Sequence, residues 1–463
     1  MNLAPYQVLD STIRGWENAV KELKHPFRVY LYFRYVLHRK LFNETEQNKN
    51  LRYGFMSAGG GLSTPQELQG QSHICQAFLE SSGAARADEK EGKAVIWHDW
   101  PVPASIIRAF DVASFPPLLF MLISQSKGGA PVDLELEACD DEGITEDMCT
   151  FNRIGFGAYL LEQIPRPSAM ISITHPCDST RSSNQLLDYY TGPEVPFYVL
   201  DTSYGRDEDS VSYFTDNLMG MVRFLEKHLG RPMDWDRLKR SAEEINTFNH
   251  YMREATILHR AIPSPGLLLL MSGAWVANIC SPGSKHLSET AKIIYEIARS
   301  RISGIQFFRK RKEKIRVITT DPMVIFTELF MWMRKEFGAI VVSDYIGNVV
   351  APEIDTSTEE SLLKGIGLDR LNMGMIRQSH GMANFNTDEL TGAIEDYSGD
   401  CVILFGHMGC KHNQAIHRII KDTCRKAGVP ILLLECDIAN RKVTSEEELK
   451  RQISDFFIRS GLA

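Results

Sequence analysis

The sequence predicts an α/β protein with two small parallel-sheet domains, a helical N-terminal extension and a helical segment that links the domains. Two stretches carry this prediction. Near the C-terminus, the apolar run 402–405 ends in a glycine-rich turn, an amphipathic segment follows, and a second apolar run covers 429–434. Residues 169–200 show the same order of strand, turn, helix and strand. Strands that are joined through a helix in this way pair in parallel.

Composition limits the classes of protein that fit. The chain has 463 residues, of which 43% are hydrophobic and 24% charged, so we expect two or three cores of ordinary size. The net charge of -8 gives no indication of a nucleic-acid partner. We also expect no signal peptide and no membrane partner, because the N-terminus is polar and the longest apolar stretch is too short to cross a bilayer. A cytoplasmic location is the simplest expectation.

Changes in pattern divide the chain into four regions. These are a helical extension, a first α/β domain, a helical segment and a second α/β domain, at residues 1–92, 93–207, 208–312 and 313–463. The glycine-rich break at 58–61 lacks the lysine of a P-loop, so we interpret it as a plain loop. In the helical segment, apolar residues at helical spacing over 214–225 predict a core stripe, and the basic run 309–312 fits a solvated face.

Both sheets are expected to be Rossmann-like, with functional groups at the carboxyl ends of their strands. In the first domain, strands are predicted at 94–97, 169–174 and 196–200, with helices over 104–111 and 182–190. In the second domain, strands are predicted at 315–319, 339–343, 402–405 and 429–434, with a helix over 322–337. Polar or thiol side chains follow several of these strands, and they are the candidates for a site.

Three of the nine cysteines stand apart from the others. An odd number of cysteines, several within apolar patterns, indicates reduced thiols and no disulfide framework. Six are predicted to be small apolar fillers, namely Cys75, Cys139, Cys280, Cys401, Cys424 and Cys436. By contrast, Cys149, Cys177 and Cys410 precede or begin helices at the sheet ends. A helix N-terminus favours the thiolate, so we expect reactive or metal-binding sulfurs there.

The spacing of these cysteines leaves several chemistries open. One thiol with His175, His407 or His412 as its base would make a nucleophile. Zinc-competent groups lie at His407, Cys410 and His412, although no C-x-x-C pair is present. Three thiolates also suit a [4Fe-4S] cluster with one iron left open, because soft sulfur ligands select iron–sulfur chemistry. In the remaining alternative all nine cysteines only fill space.

At these residues the chain resembles a known family, the core subunits of the 2-hydroxyacyl-CoA dehydratases and of ATP-dependent benzoyl-CoA reductase. The α-type dehydratase subunit is the most similar, and the likeness runs from about residue 93 to 457. It rests on the strand that ends at Cys177 and on residues 147–151 (DMCTF), 196–204 (PFYVLDTSY), 263–265 (PSP), 367–370 (GLDR), 409–411 (GCK) and 428–437. Ordered cysteines in matching contexts are specific for the family, but not for a substrate.

The resemblance implies one [4Fe-4S] cluster on Cys149, Cys177 and Cys410, with one iron that has no cysteine ligand. It also implies an acyl-CoA substrate, a related second core subunit, and an iron–sulfur ATPase that activates the enzyme by delivering one electron at very low potential. In a dehydratase, this electron makes a ketyl radical that expels the neighbouring hydroxyl, whereas in the reductase electrons enter an aromatic ring. The open iron acts as a Lewis acid.

The chain departs from the family pattern after its first predicted strand. Where α-type dehydratases carry a small hydroxyl residue, His98 follows Trp97, and in place of a Pro-Glu pair residues 116–118 are Pro-Pro-Leu. A dehydratase subunit, a reductase subunit and an electron-relay subunit that binds no substrate therefore remain alternatives. His98, His175 and His407 each follow a predicted strand, so we expect them to face one cleft and to handle protons near neutral pH.

Overall fold

The computed structural model describes residues 64–117, 132–205, 207–303, 313–320, 329–344, 348–379 and 383–463. Three of the predicted features lie wholly or partly outside these residues. They are the glycine-rich loop at 58–61, the basic run at 309–312 and the first part of the helix expected over 322–337. Of the N-terminal extension, the described part contains α1 (Pro65–Phe78), a π-helical turn (Leu79–Gly83) and α2 (Ala84–Lys90).

The first sheet has four parallel strands in the order β2-β1-β3-β4. They are β1 (Val95–His98), β2 (Ala113–Phe115), β3 (Ala169–Ile173) and β4 (Phe197–Leu200). Every residue of β1 and β3 is buried, as expected for inner strands that are covered on both faces. The sequence does not predict β2, because three residues are too few to show a periodic pattern.

Helices cover both faces of this sheet. They are α3 (Ala104–Arg108), α4 (Asp133–Asp141), α5 (Thr150–Leu160), α6 (Asp178–Thr191), α7 (Glu208–Leu229), α8 (Trp235–Leu258), α9 (Leu268–Cys280) and α10 (Lys285–Ser303). Val95 and Trp97 belong to one core with α1, α9 and α10, while Ile96 belongs to a second core with α7 and α8. The stripe predicted over 214–225 is buried in the second core, so the helical segment packs directly on the first sheet.

The second sheet is also four-stranded and parallel, in the order β6-β5-β7-β8. Its strands are β5 (Ile315–Thr319), β6 (Ala339–Asp344), β7 (Cys401–His407) and β8 (Ile431–Cys436). The helices of this part are α11 (Leu329–Phe337), α12 (Glu359–Leu371), α13 (Ile376–Ser379), α14 (Asn384–Asp396), α15 (Lys411–Ala427) and α16 (Glu446–Arg459). The predicted fold class, with two parallel-sheet domains, is confirmed.

One helix of the second part of the chain packs against the first part. Leu362, Leu363 and Ile366 of α12 join the core that α7 and α8 form with the first sheet. The boundary expected at residue 313 therefore does not coincide with a change of core, because the chain crosses back to the first sheet before it forms β7. Among the described residues, no helix is both long and apolar enough to span a bilayer.

Candidate functional site

Each of the three candidate cysteines is the N-cap residue of a helix. Cys149 precedes α5, Cys177 precedes α6 and Cys410 precedes α15. Cys177 follows β3 and Cys410 follows β7, which are inner strands in the two sheets. Since the strands of each sheet are parallel, both cysteines lie at carboxyl ends, where the N–H groups and the positive end of the following helix face the site.

Contacts between the starts of the three helices hold the cysteines together in pairs. The backbone N–H of Cys149 donates to Ser179 Oγ, two residues after Cys177, at 3.2 Å. The first residues of α6 and α15 form an ion pair, with Asp178 Oδ2 3.7 Å from Lys411 Nζ. Cys149 also contacts His407 in the turn before Cys410. The three N-cap cysteines therefore converge where the two sheets meet.

Cys149 lies directly against the β7–α15 turn. Its sulfur is 3.3 Å from His407 Nε2. A Cβ on Gly409 would lie 2.9 Å from the Cα of Cys149 and 3.2 Å from the carbonyl oxygen of Met148. Real side chains do not approach so closely, and a glycine is therefore required in this turn. The next residue, Thr150, donates its hydroxyl to the carboxylate of Asp437 after β8, which fixes the start of α5 to the second sheet.

Burial dominates the electrostatics of these thiols. The pKa of Cys149 is well above its ordinary value, mainly because the thiol is buried and also because the Cys177 and Cys410 thiols lie near. Burial also raises the pKa of Cys177, while Thr180 at the start of α6 opposes the shift. The expectation that helix N-termini favour the free thiolate is wrong for these two residues, because desolvation outweighs the helix contribution. A bound cation would reverse this balance.

The remaining cysteines behave as the sequence predicts. Cys75, Cys139, Cys280, Cys401, Cys424 and Cys436 are all buried, whereas the three candidates are partly exposed. Cys401 and Cys436 pack in one core of the second sheet, and Cys424 packs in the core on its other face. Their thiols replace small apolar side chains, and their role as fillers is confirmed.

His98 is buried and neutral. Its ring Nδ1 lies 2.7 Å from the carbonyl oxygen of Asp99, which can only accept, so the ring proton is on Nδ1. Burial, helped by the charges of Arg108 and Arg370, lowers the pKa of His98 to about 4. The expected pKa near neutrality is therefore wrong for His98. Its Nε2 is a buried acceptor with no hydrogen-bond partner in the described structure.

The other two histidines lie beside the cysteines. His175 precedes Pro176 and Cys177, and its Nδ1 contacts the hydroxyl of Thr202. His407 contacts Cys149, and burial lowers its pKa, while the nearby carboxylate of Asp437 opposes the shift. The described contacts do not join His98 to either of these rings, so a cleft shared by all three histidines stays a prediction.

Sequence reasoning missed Asp99 as a candidate. This carboxyl group is 8% exposed, and burial raises its pKa to about 7. Asn184 of α6 donates to Asp99 Oδ2 at 2.6 Å, and the charge of Asp99 acts on Cys177. The sequence does place a carboxylate directly after a predicted strand, but the neighbouring His98 is the more conspicuous candidate. A buried acid with a pKa near 7 can exchange protons at working pH.

The Gly-Leu-Asp-Arg motif at 367–370 serves packing between helices. Arg370, which is 2% exposed, donates to Asp369 Oδ2 from Nη2 at 2.9 Å and from Nε at 3.1 Å. Asn249 of α8 donates to the other oxygen of Asp369 at 2.7 Å. A buried ion pair that is completed in this way fixes α12 on α8.

The donor set fits a cluster better than a single ion. Within the described ranges, no group of three or more histidine, cysteine, aspartate or glutamate side chains could hold a metal ion. The zinc alternative at His407, Cys410 and His412 is thus not formed, and His412 is exposed on α15. A [4Fe-4S] cluster holds its cysteine sulfurs about 6–7 Å apart, farther than the ligands of one ion. Three converging, partly buried cysteines at helix N-termini fit that group.

The fold and site define a class of protein with two parallel α/β sheets and a three-cysteine site where their carboxyl ends meet. The sequence model described as "2-hydroxyglutaryl-CoA dehydratase, D-component" matches residues 99–457, and the chain belongs to this family. The "Lactoyl-CoA dehydratase subunit alpha" of Anaerotignum propionicum is 22% identical over 232 residues, which are 44% of this chain and 53% of that protein. The match spans about half the length of that relative. The resemblance identified from the motifs is confirmed.

Proposed function

We propose that the protein is a core subunit of a 2-hydroxyacyl-CoA dehydratase-type enzyme, with a [4Fe-4S] cluster on Cys149, Cys177 and Cys410. The observation that carries this proposal is the set of contacts that ties the three N-cap cysteines together in pairs. Family membership supports a CoA thioester of a 2-hydroxy acid as the substrate class. The name of the relative supports a partner subunit, because it is itself a subunit of a larger enzyme.

The chain prepares this site for a negatively charged cluster. The Cys410 sulfur accepts the backbone N–H of Asn413, and backbone N–H groups at the starts of α5 and α6 act electrostatically on Cys149 and Cys177. The dipoles of these three helices would stabilise negative charge at the sulfurs. A cluster with one iron free of cysteine would supply a Lewis acid for a carbonyl or hydroxyl oxygen, together with a place for one electron. We propose that the electron comes from an iron–sulfur ATPase, as the family resemblance implies.

Two buried groups at the end of β1 are suited to polar contacts with a substrate. His98 Nε2 is an acceptor without a partner among the described residues, and in this role it would take a hydrogen bond from a substrate hydroxyl. Asp99 has a pKa of about 7 and acts electrostatically on Cys177, so it would give or take a proton at neutral pH. His98 therefore acts as an acceptor in this proposal, and Asp99 acts as the proton-exchanging group.

A relay subunit is the second candidate. His98 follows Trp97, where α-type dehydratases carry a small hydroxyl residue, and its ring fills that position with only 2% exposure. A bulkier side chain there leaves less room for a thioester. In this alternative the cluster passes electrons to a sister subunit that binds the substrate. Titration of the reconstituted protein with a 2-hydroxyacyl-CoA separates the two, since only the catalytic subunit binds it.

Iron analysis of cysteine variants tests the proposal. Anaerobic reconstitution should give a brown protein with about four irons per chain, as expected for one [4Fe-4S] cluster. Three variants should each lose most of this iron, because two remaining cysteines are too few to retain the cluster. They are Cys149→Ala, Cys177→Ala and Cys410→Ala. Cys424→Ala is the matched control, since this buried cysteine lies on α15 itself and should leave the iron content unchanged. A colourless wild type, or equal iron in all variants, would contradict the proposal.

A further inference from the structure

His407 differs from the other candidate histidines because its ring touches a cysteine sulfur. Its Nε2 lies 3.3 Å from Cys149 Sγ, a hydrogen-bond distance for sulfur. His407 is 5% exposed, so little water competes for its ring nitrogens. The thiol of Cys149 can offer its own proton to the ring. A metal-bound thiolate has no proton, and the hydrogen bond must then run from His407 Nε2–H to the sulfur.

The position of the ring is fixed by its backbone and by its neighbours. His407 ends β7, where it lies opposite Cys436 of β8. Its carbonyl oxygen accepts from the N–H of Cys410 at 3.0 Å and from Gln414 Nε2 at 3.2 Å. The ring also lies near that of Phe151, with 6.2 Å between the centroids. The backbone of His407 is thus held at the strand end, which places its ring beside Cys149.

We propose that His407 is a positioning residue that donates a hydrogen bond to the Cys149 sulfur and thereby raises the reduction potential of the bound cluster. This inference rests on the proposed function, because it requires the [4Fe-4S] cluster. A reduced cluster carries one more negative charge than an oxidised one, so a donor to a ligand sulfur stabilises the reduced form more. The sequence suggested a proton-handling role for His407, whereas this geometry assigns it to the cluster ligand.

The surroundings make the contribution of His407 large. The three sulfurs repel one another in a buried site, as the effect of Cys177 and Cys410 on Cys149 indicates. The Asp437 carboxylate adds further negative charge, although Thr150 and two backbone N–H groups occupy its oxygens. In a low-dielectric site, each donor to sulfur counts for more than it does in water. Together with the helix N-termini, His407 therefore makes the cluster easier to reduce.

The test compares the reduction potential of the cluster in His407→Phe with that in the wild type. Both proteins are reconstituted, and the iron content of each is measured. Phenylalanine keeps a flat ring against Phe151 but cannot donate, so the midpoint potential should shift to a more negative value while iron stays near the wild-type amount. His407→Gln restores an amide donor at a similar reach and should return the potential toward that of the wild type. His412→Phe is the control, because this exposed histidine is the second residue of α15.

Two outcomes would overturn the role of His407, and a third would overturn the proposed function itself. An unchanged potential in His407→Phe with full iron content would overturn the role of His407. If that variant fails to bind iron, pulsed EPR of the reduced wild type decides, because the N–H must appear as an exchangeable proton coupled to the cluster that is lost in D2O. A spectrum of the wild type without that exchangeable proton would also overturn the inference. A wild type that binds no cluster at all would overturn the proposed function.

Discussion

His98 and His259 have almost the same surroundings and differ at one nitrogen. Both rings place Nδ1 against a backbone carbonyl, at 2.7 Å and 2.8 Å, and burial lowers both pKa values to about 4. His259 Nε2 accepts the N–H of Leu267 at 3.1 Å, whereas His98 Nε2 has no partner in the described structure. An unsatisfied buried acceptor costs about 1–3 kcal/mol, and such a cost is consistent with the substrate contact proposed for His98.

Acidification should destabilise the protein through His98. The pKa of His98 is about 4 in the folded chain and about 6.5 in the unfolded chain. The stability that the neutral ring contributes is therefore complete above pH 6.5 and is lost as the pH falls toward 4. At pH 5 this loss corresponds to about 2 kcal/mol. The free energy of unfolding can be measured in urea at pH 7.5 and at pH 5. Its decrease between these pH values should be smaller in His98→Gln than in the wild type by about this amount. An equal pH dependence in both proteins would show that His98 is not the titrating group.

At the scale of single residues, the sequence reveals position better than protonation. The six predicted fillers are buried and the three candidates are partly exposed, because a strand interior and a helix start are both visible in the local pattern. The state of His98 was not visible, because its burial and its neighbours Arg108 and Arg370 come from distant parts of the chain. The raised pKa of Asp99 was not visible either, since only the fold shows that its carboxyl group is buried.

At the scale of elements, the β7–α15 unit organises the site. Alternate residues of β7 enter the two cores of the second sheet, so the strand is fixed from both sides. Cys410 then caps α15, its sulfur accepting the N–H of Asn413 at 3.5 Å, and the helix ends at Gly428 with a φ of 70°. The left-handed conformation at Gly428 closes the helix and turns the chain into β8. A rigid strand and a capped helix thus hold the intervening turn against Cys149.

Gly409→Ala should disrupt the site through this turn. The new Cβ would lie 2.9 Å from the Cα of Cys149 and 3.2 Å from His407 Nε2, so the turn must move away. We expect the free energy of unfolding to fall by about 1–3 kcal/mol, together with a loss of iron. Gly392→Ala is the control, because nothing lies within 4 Å of that position in α14. It should increase stability by up to about 1 kcal/mol. Full iron binding by Gly409→Ala would argue against the close contact.

The sequence predicts elements where their pattern is strong. Apolar runs identify β1, β3, β5 and β7, and helical spacing identifies α7 and α15. The short strand β2 gives no such signal. Helix α12 also has no clear apolar stripe, because it is enclosed on several sides, with Gly367 against Leu218 of α7 and Arg370 paired internally. Such a helix is defined by tertiary contacts and not by its periodicity.

At the scale of the whole molecule, the two sheets repeat one topology. Each has its second strand outermost, then its first, third and fourth, in the orders β2-β1-β3-β4 and β6-β5-β7-β8. Cys177 and Cys410 follow the third strand of their respective sheets, so they hold equivalent positions. Cys149 has no such equivalent and lies between them. The site is therefore complete only when the two sheets are held together, which α12 also favours by its packing on α7.

Thr150→Val should weaken the connection between the sheets. The Thr150 hydroxyl donates to the carboxylate of Asp437, whose other oxygen accepts two backbone N–H groups. Valine keeps the shape but leaves one buried oxygen without its donor, so we expect a loss of about 1–3 kcal/mol in the free energy of unfolding. Iron binding should also weaken, because α5 begins with Cys149.

Thr423→Val on α15 is the control, because it loses only an exposed hydrogen bond to the Ile419 carbonyl. It should change the free energy of unfolding by no more than about 0.5 kcal/mol. Hydrogen exchange at the start of α5 provides the direct measurement: faster exchange is expected in Thr150→Val, and protection equal to that of the wild type would mean that the sheets are held together without this bond.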